Sequence, residues 1–98
     1  MTKHEILKYL FEHKDEFYEK FKITKIGLFG SYSRDEATKE SDIDIVIEME
    51  KGVTDIYDKK KAFKTMIEST FGKKVDLARE KYLKPLAKKE ILKDICRV

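Results

Sequence analysis

The chain has 98 residues, 41% hydrophobic and 42% charged, the second figure well above the usual quarter or so. Lys and Arg number 22 and Asp and Glu 19, so the net charge is only +3, which argues against a dedicated DNA or RNA binder. One cysteine, Cys96, excludes an internal disulfide, and no apolar run approaches the roughly 20 residues that span a membrane. With no signal peptide, a reducing cytoplasm is expected. One domain over residues 1–98 is expected, with a modest core that an oligomer or a partner protein would supplement.

The first helix is expected from about Thr2 to Lys20. Thr2 and Glu5 have capping-box spacing, and Ile6, Leu7, Leu10, Phe11 and Phe17 recur at helical intervals. His4 and His13, both in this segment, read as helix-surface residues. Ile23–Phe29 alternates around Ile26 and Leu28 as a strand, which Gly30-Ser31 ends. Tyr32 to Ala37 reads as a short helix or turn. Asp42–Glu48 is β-branched and alternating, a strand.

Gly52 breaks the chain, and Asp55 to Phe71 is helical, with Ile56, Phe63, Met66, Ile67 and Thr70 on one face. Gly72 stands where a glycine closes a helix. Lys74 to Ala78 is a short strand around Val75 and Leu77. Pro85 suits the first turn of a last helix, expected to bury Leu86, Ile91, Leu92 and Ile95. Phe11, Phe17, Phe21, Phe29, Phe63 and Phe71 are expected in the core. The runs Lys59-Lys60-Lys61 and Lys88-Lys89 read as solvated helix faces.

The first two strands have a short connection and should pair antiparallel. The second and third flank a crossover helix and should pair parallel. The expected fold is α/β (α+β), a small mixed three-stranded sheet flanked by helices.

Asp42 and Asp44 open an apolar strand, where Asp is disfavoured, and their i, i+2 spacing points both carboxylates to one side. Ile43, Ile45 and Ile47 point the other way. Neighbouring carboxylates repel unless a cation lies between them, and Mg²⁺ takes carboxylate, phosphate and water oxygens; solvation at a strand end is the plainer alternative. Asp76, between Val75 and Leu77, reaches the same place if its strand lies alongside. Three carboxylates are what a two-metal phosphoryl-transfer site needs. Gly30-Ser31 ends a strand and starts a helical turn, where backbone N–H groups and a hydroxyl receive a phosphate, or where Ser31 simply caps the turn. Tyr32, next to Ser31, either stacks on a base or covers the loop.

Gly30-Ser31, Arg34, Ser41-Asp42-Ile43-Asp44 and Asp76 together resemble the signature of the polymerase-beta-like nucleotidyltransferase superfamily. Size and element order resemble its minimal nucleotidyltransferase (MNT) members, over nearly the whole chain from Ile23 to about Ile95. The resemblance implies a nucleotidyltransferase core. In it Asp42, Asp44 and Asp76 bind Mg²⁺, two ions once the nucleotide is bound, and form the catalytic set. Asp76 serves as general base on the attacking hydroxyl, while Gly30, Ser31, Arg34 and Ser41 hold the nucleotide. For Arg34 the alternative is a surface arginine paired with Asp35 or Glu36. Asp35 stands where the family loop commonly has Gly.

The resemblance further implies an antitoxin that transfers AMP from ATP to a tyrosine of a HEPN-domain ribonuclease toxin. The alternatives are a non-catalytic module that neutralises its partner by complex formation, and a transferase acting on RNA ends.

Overall fold

The Thr2 hydroxyl accepts the Glu5 amide at 3.2 Å, so the first turn is capped as its sequence requires. This opens α1 (Lys3–Glu12) in the computed structural model, which describes residues 1–98. The helix does not run on to Lys20. It breaks at His13 (φ −108°, ψ 10°) and resumes as α2 (Lys14–Phe21). No Pro or Gly marks the break. The Tyr9 carbonyl takes the His13 N–H at 3.2 Å, and His13 Nδ1 lies 2.8 Å from the same oxygen. Lys22, at φ +58°, then turns the chain into the sheet.

The remaining elements are β1 (Ile23–Phe29), α3 (Gly30–Ser33), β2 (Ile43–Met49), α4 (Ile56–Phe71), β3 (Val75–Arg79), a 3-10 turn (Glu80–Tyr82), α5 (Pro85–Asp94) and β4 (Cys96–Arg97). β1 and β2 pair antiparallel, from Ile23 opposite Met49 to Phe29 opposite Asp44. β2 and β3 pair parallel, from Ile43 beside Val75 to Ile47 beside Arg79. Both pairings are those expected. The sheet has four strands rather than three, in the order β3-β2-β1-β4, because Cys96 and Arg97 add an antiparallel edge beside Leu28 and Gly27.

One sheet face is the core. Ile26 and Leu28 of β1 and Ile43, Ile45 and Ile47 of β2 pack under Ile6, Leu10, Phe17 and Phe21 from the first two helices and Phe63 and Ile67 from α4. The Phe17 and Phe63 rings meet edge to face with centroids 5.0 Å apart, a geometry aromatic pairs favour. Of the six phenylalanines only Phe17, Phe21 and Phe63 are buried. Phe29 and Phe71 are half-buried and Phe11 is exposed. On α4, Thr70 is exposed, while Phe63 and Ile67 are buried as expected.

The opposite face is covered only in part. A Cβ on Gly27 would lie 2.6 Å from Ile95 Cδ1 and 3.3 Å from Val46 Cγ1, so glycine lets Ile95 settle on the sheet. Only that end of the last helical segment reaches the sheet. Leu86 (81% exposed) and Leu92 are therefore at the surface, Ile91 and Ile95 are half-buried, and α5 itself has no buried residue. No helix is long and apolar enough to cross a membrane.

At the far end of β2 and β3, Arg79 Nη2 donates to Glu48 Oε1 at 2.7 Å, and the Arg79 guanidinium lies 4.9 Å from the Tyr82 ring centre. Glu48 Oε1 also accepts the Met49 amide, and its Oε2 accepts the Lys81 amide. Burial alone would raise the Glu48 carboxyl. The Arg79 hydrogen bond, the two amides and the Arg79 charge outweigh it and hold the group below the usual carboxylate value. Removing one partner of such a pair strands the other. Arg79→Ala should cost about 3 kcal/mol in urea denaturation at neutral pH. A lowered carboxylate contributes stability above the unfolded value of 4.5, lost as pH falls through the folded one. The deficit of Arg79→Ala against wild type should therefore shrink in acid.

Candidate functional site

Asp44 is the second residue of β2 and lies on the face away from Ile43 and Ile45. Its register partners are Phe29 on β1 and Asp76 on β3. With strands spaced by about 4.8 Å, the Gly30-Ser31 turn lies on one side of Asp44 and the Asp76 carboxylate on the other. Asp42, just before the strand, is exposed, as is Asp76, while Asp44 is half-buried. The fold thus brings the turn and all three carboxylates to one end of the sheet.

Gly30 is required twice over. Its φ is +74°, a region that L side chains rarely adopt. A Cβ there would also lie 2.9 Å from Asp44 Cγ and collide with Asp44 Oδ2. The backbone of the turn is thus pressed directly against the central carboxylate. The helical turn α3 starts at Gly30, two residues earlier than its expected start at Tyr32, so Ser31 lies within its first turn. Tyr32 is buried in the core, covering the loop rather than offering a ring to a base. Ser33, which the sequence did not single out, is buried and donates through Oγ to the Gly30 carbonyl at 2.8 Å. Nothing distinguishes it in the sequence from any loop serine.

Arg34 is held by two carboxylates, Nε to Glu36 Oε2 at 3.1 Å and Nη1 to Asp94 Oδ2 at 2.9 Å. It ties the loop after α3 to the end of α5. Asp35 has φ +58°, the left-handed conformation glycine would supply, and Asp is among the residues that tolerate it. The loop shape therefore survives the departure from glycine. Ser41 Oγ accepts the Thr38 amide at 2.8 Å and so closes the turn ahead of Asp42.

The carboxylates act on one another. Burial first, then the negative charges of Asp76 and Asp42, push the Asp44 carboxyl up to about 6, against a smaller opposing pull from Arg34. No three carboxylate, imidazole or thiol groups close tightly enough to hold an ion by themselves. The donor set nevertheless fits Mg²⁺, which is bound through one or two carboxylates and completed by phosphate and water oxygens. Asp42, Asp44 and Asp76 are the residues that would hold it. Beside Asp76 opens a cavity of about 350 Å³, lined by Tyr57, Lys60, Lys61 and Lys64 of α4 with Asp76 and Leu77 of β3. The sequence shows these lysines only as part of a charged helix.

The nucleotidyltransferase domain family matches residues 10–97. A Methanocaldococcus jannaschii protein, provisionally named a protein adenylyltransferase, is 38% identical over 98 residues, spanning 99% of this chain and 98% of its own. Protein adenylyltransferase MntA of Thermococcus cleftensis is 35% identical, over 100% of this chain and 97% of its own. Among solved structures, one described provisionally as a minimal nucleotidyltransferase superposes with a TM-score of 0.79 at 26% identity, covering 100% of this chain and 97% of that one. Another holds a tri-AMPylated Shewanella oneidensis HEPN toxin with its MNT antitoxin. It superposes at 0.59 with 21% identity, over 97% of this chain and 67% of that one, a likeness of fold.

Two outcomes follow from this geometry. Asp44 is raised above its unfolded value of 3.8, so its share of stability is full below that pH and is lost as pH rises through about 6. In thermal denaturation without divalent cation, Asp44→Asn should match wild type near pH 4 and exceed it in Tm above pH 6. Gly30→Ala should destabilise by about 1–2 kcal/mol from the left-handed backbone alone. It should also displace Asp44, so that activity falls further than stability does.

Proposed function

The chain belongs to the nucleotidyltransferase domain family, and on that premise we propose that it transfers AMP from ATP to a tyrosine hydroxyl of a HEPN-type toxin, in an Mg²⁺-dependent reaction. That it is a nucleotidyltransferase follows from the family. The metal is the reading that the site supports best, and the acceptor is the one that the relatives support. The observation that carries it is the position of Asp44, flanked on its two neighbouring strands by the Gly30-Ser31 turn and by Asp76. The family, the adenylyltransferase relatives and the AMPylated HEPN toxin in a structural neighbour support the donor, the acceptor and the partner.

The triphosphate is taken up on the Gly30-Ser31 side, where backbone approach is closest. Mg²⁺, when bound, neutralises the triphosphate and lowers the barrier to displacement at phosphorus. Asp42 and Asp44 would hold the ion, with Asp76 completing the set. The acceptor oxygen approaches from the Asp76 side and forms a bond to the α-phosphorus. The bond from that phosphorus to the bridging oxygen breaks, and pyrophosphate leaves. The acceptor's proton passes to the Asp76 carboxylate. Arg34, engaged by Glu36 and Asp94, braces the loop.

The test is transfer of label from radioactive ATP, with Mg²⁺, to the protein encoded beside this chain. Wild type should label that partner on a tyrosine. Asp42→Asn/Asp44→Asn should lose about a hundredfold or more in rate, while still co-purifying with the partner. If the double variant labels the partner as wild type does, the site is misassigned. If the partner is never labelled but is still neutralised, the chain acts by occlusion.

A further inference from the structure

We infer that the cavity beside Asp76 seats an acidic stretch of polypeptide flanking the acceptor hydroxyl, with Lys60, Lys61 and Lys64 pairing its carboxylates. The inference rests on the transferase reading above and names how the acceptor is recognised. Tyr57, Lys60, Lys61 and Lys64 fall at i, i+3, i+4 and i+7 on α4, one stripe of a helix surface. The stripe and β3 form the walls of the cavity, with Asp76 among its lining residues. On the helices Lys8, Lys20 and Lys93 pair with Glu12, Glu16 and Glu90, whereas Lys3, Lys14, Lys59, Lys88 and Lys89 pair with no carboxylate but line no cavity beside Asp76. None of the three cavity lysines is in an ion pair. Three unanswered ammonium groups beside a concave surface repel one another and attract an anion.

Position decides which anion. The triphosphate turn is on the β1 side of Asp44, and the cavity is on the β3 side. An acceptor must enter from the side that the nucleotide leaves open, which is the outer edge at β3, where Asp76 and the α4 stripe line one cavity. The stripe is about 10 Å long, room for roughly three residues of extended chain. It presents one aromatic ring, Tyr57, 76% exposed, for a side chain to pack on. A chain with a net charge of only +3 and so short a basic stripe suits an acidic peptide better than a run of nucleic-acid phosphates.

Binding tests this independently of transfer. The probe is a fluorescein-labelled peptide with one tyrosine between glutamates, beside a twin with glutamine for every glutamate. Each is titrated with the full chain in low salt, without ATP or metal, and followed by anisotropy. The acidic peptide should bind more tightly than its twin and weaken as salt rises. Lys60→Ala/Lys61→Ala/Lys64→Ala should lower its affinity about tenfold, as three modest ion pairs would. Lys88→Ala/Lys89→Ala, on α5, should leave it unchanged, and circular dichroism should show both variants folded.

Equal binding of the twin peptides, or wild-type affinity in the triple variant, would overturn the inference. So would tighter binding of a single-stranded RNA oligonucleotide that depends on the same three lysines. Adding ATP and Mg²⁺ separates the two readings. If the acidic peptide binds through the lysines but neither it nor the neighbouring gene product is ever labelled, the transferase reading fails while the docking result stands.

Discussion

The organising constraint is a charged side chain placed at the start of an apolar strand. Asp44 alternates with Ile43 and Ile45, so the register that buries those two isoleucines necessarily turns its carboxylate to the other face. A shift of one residue would bury Asp42 and Asp44 and expose the isoleucines. The core therefore holds the site in place. Pairing does the rest, because β1 and β3 flank β2 on its two sides and each presents its own residue at the Asp44 level. The cost is that Asp44 is raised, by its burial first and then by the charges of Asp76 and Asp42. In the reading proposed above, a cation among the three carboxylates would relieve that repulsion.

Much of this arrangement was legible in the chain itself. The alternation over Asp42–Glu48, the short link from β1 to β2 and the helical crossover to β3 carried both strand pairings. They also carried the meeting of Asp44 with Asp76. What was hidden has physical reasons. A two-residue strand, Cys96–Arg97, is too short to show a period. The break at His13 arises from an imidazole beside the Tyr9 carbonyl, with no helix-breaking residue to announce it. The spacing of Leu86, Ile91 and Leu92 is genuinely helical, but a period reveals only a face, not whether the chain has anything to cover it.

The departure at Asp35 illustrates how a pattern and its physics can differ. Glycine adopts the left-handed backbone freely, and Asp is among the few other residues that tolerate it. Asp35 at φ +58° satisfies the same angle. Gly30 is the opposite case. There both the angle and the empty space are needed, because the space a Cβ would fill is taken by the Asp44 carboxylate. One glycine position accepts replacement by a residue that tolerates the left-handed region. The other does not, and the neighbouring side chain is the reason.

The C-terminal segment restrains the Gly30-Ser31 turn. Asp94 holds Arg34 and so fastens the loop that follows α3. One residue on, Ile95 rests over Gly27 in the strand that leads into the turn. Cys96 and Arg97 then pair with that same strand. Three consecutive kinds of contact, ionic, apolar and backbone, thus converge on the strand and loop either side of Gly30. An exposed arginine pair is by itself worth little, and a two-residue strand is marginal. Acting together on one short stretch of chain, they restrain the turn far more than any one of them would. A turn that holds its backbone against Asp44 depends on that restraint, because any outward drift of Gly30 would open the close approach between them.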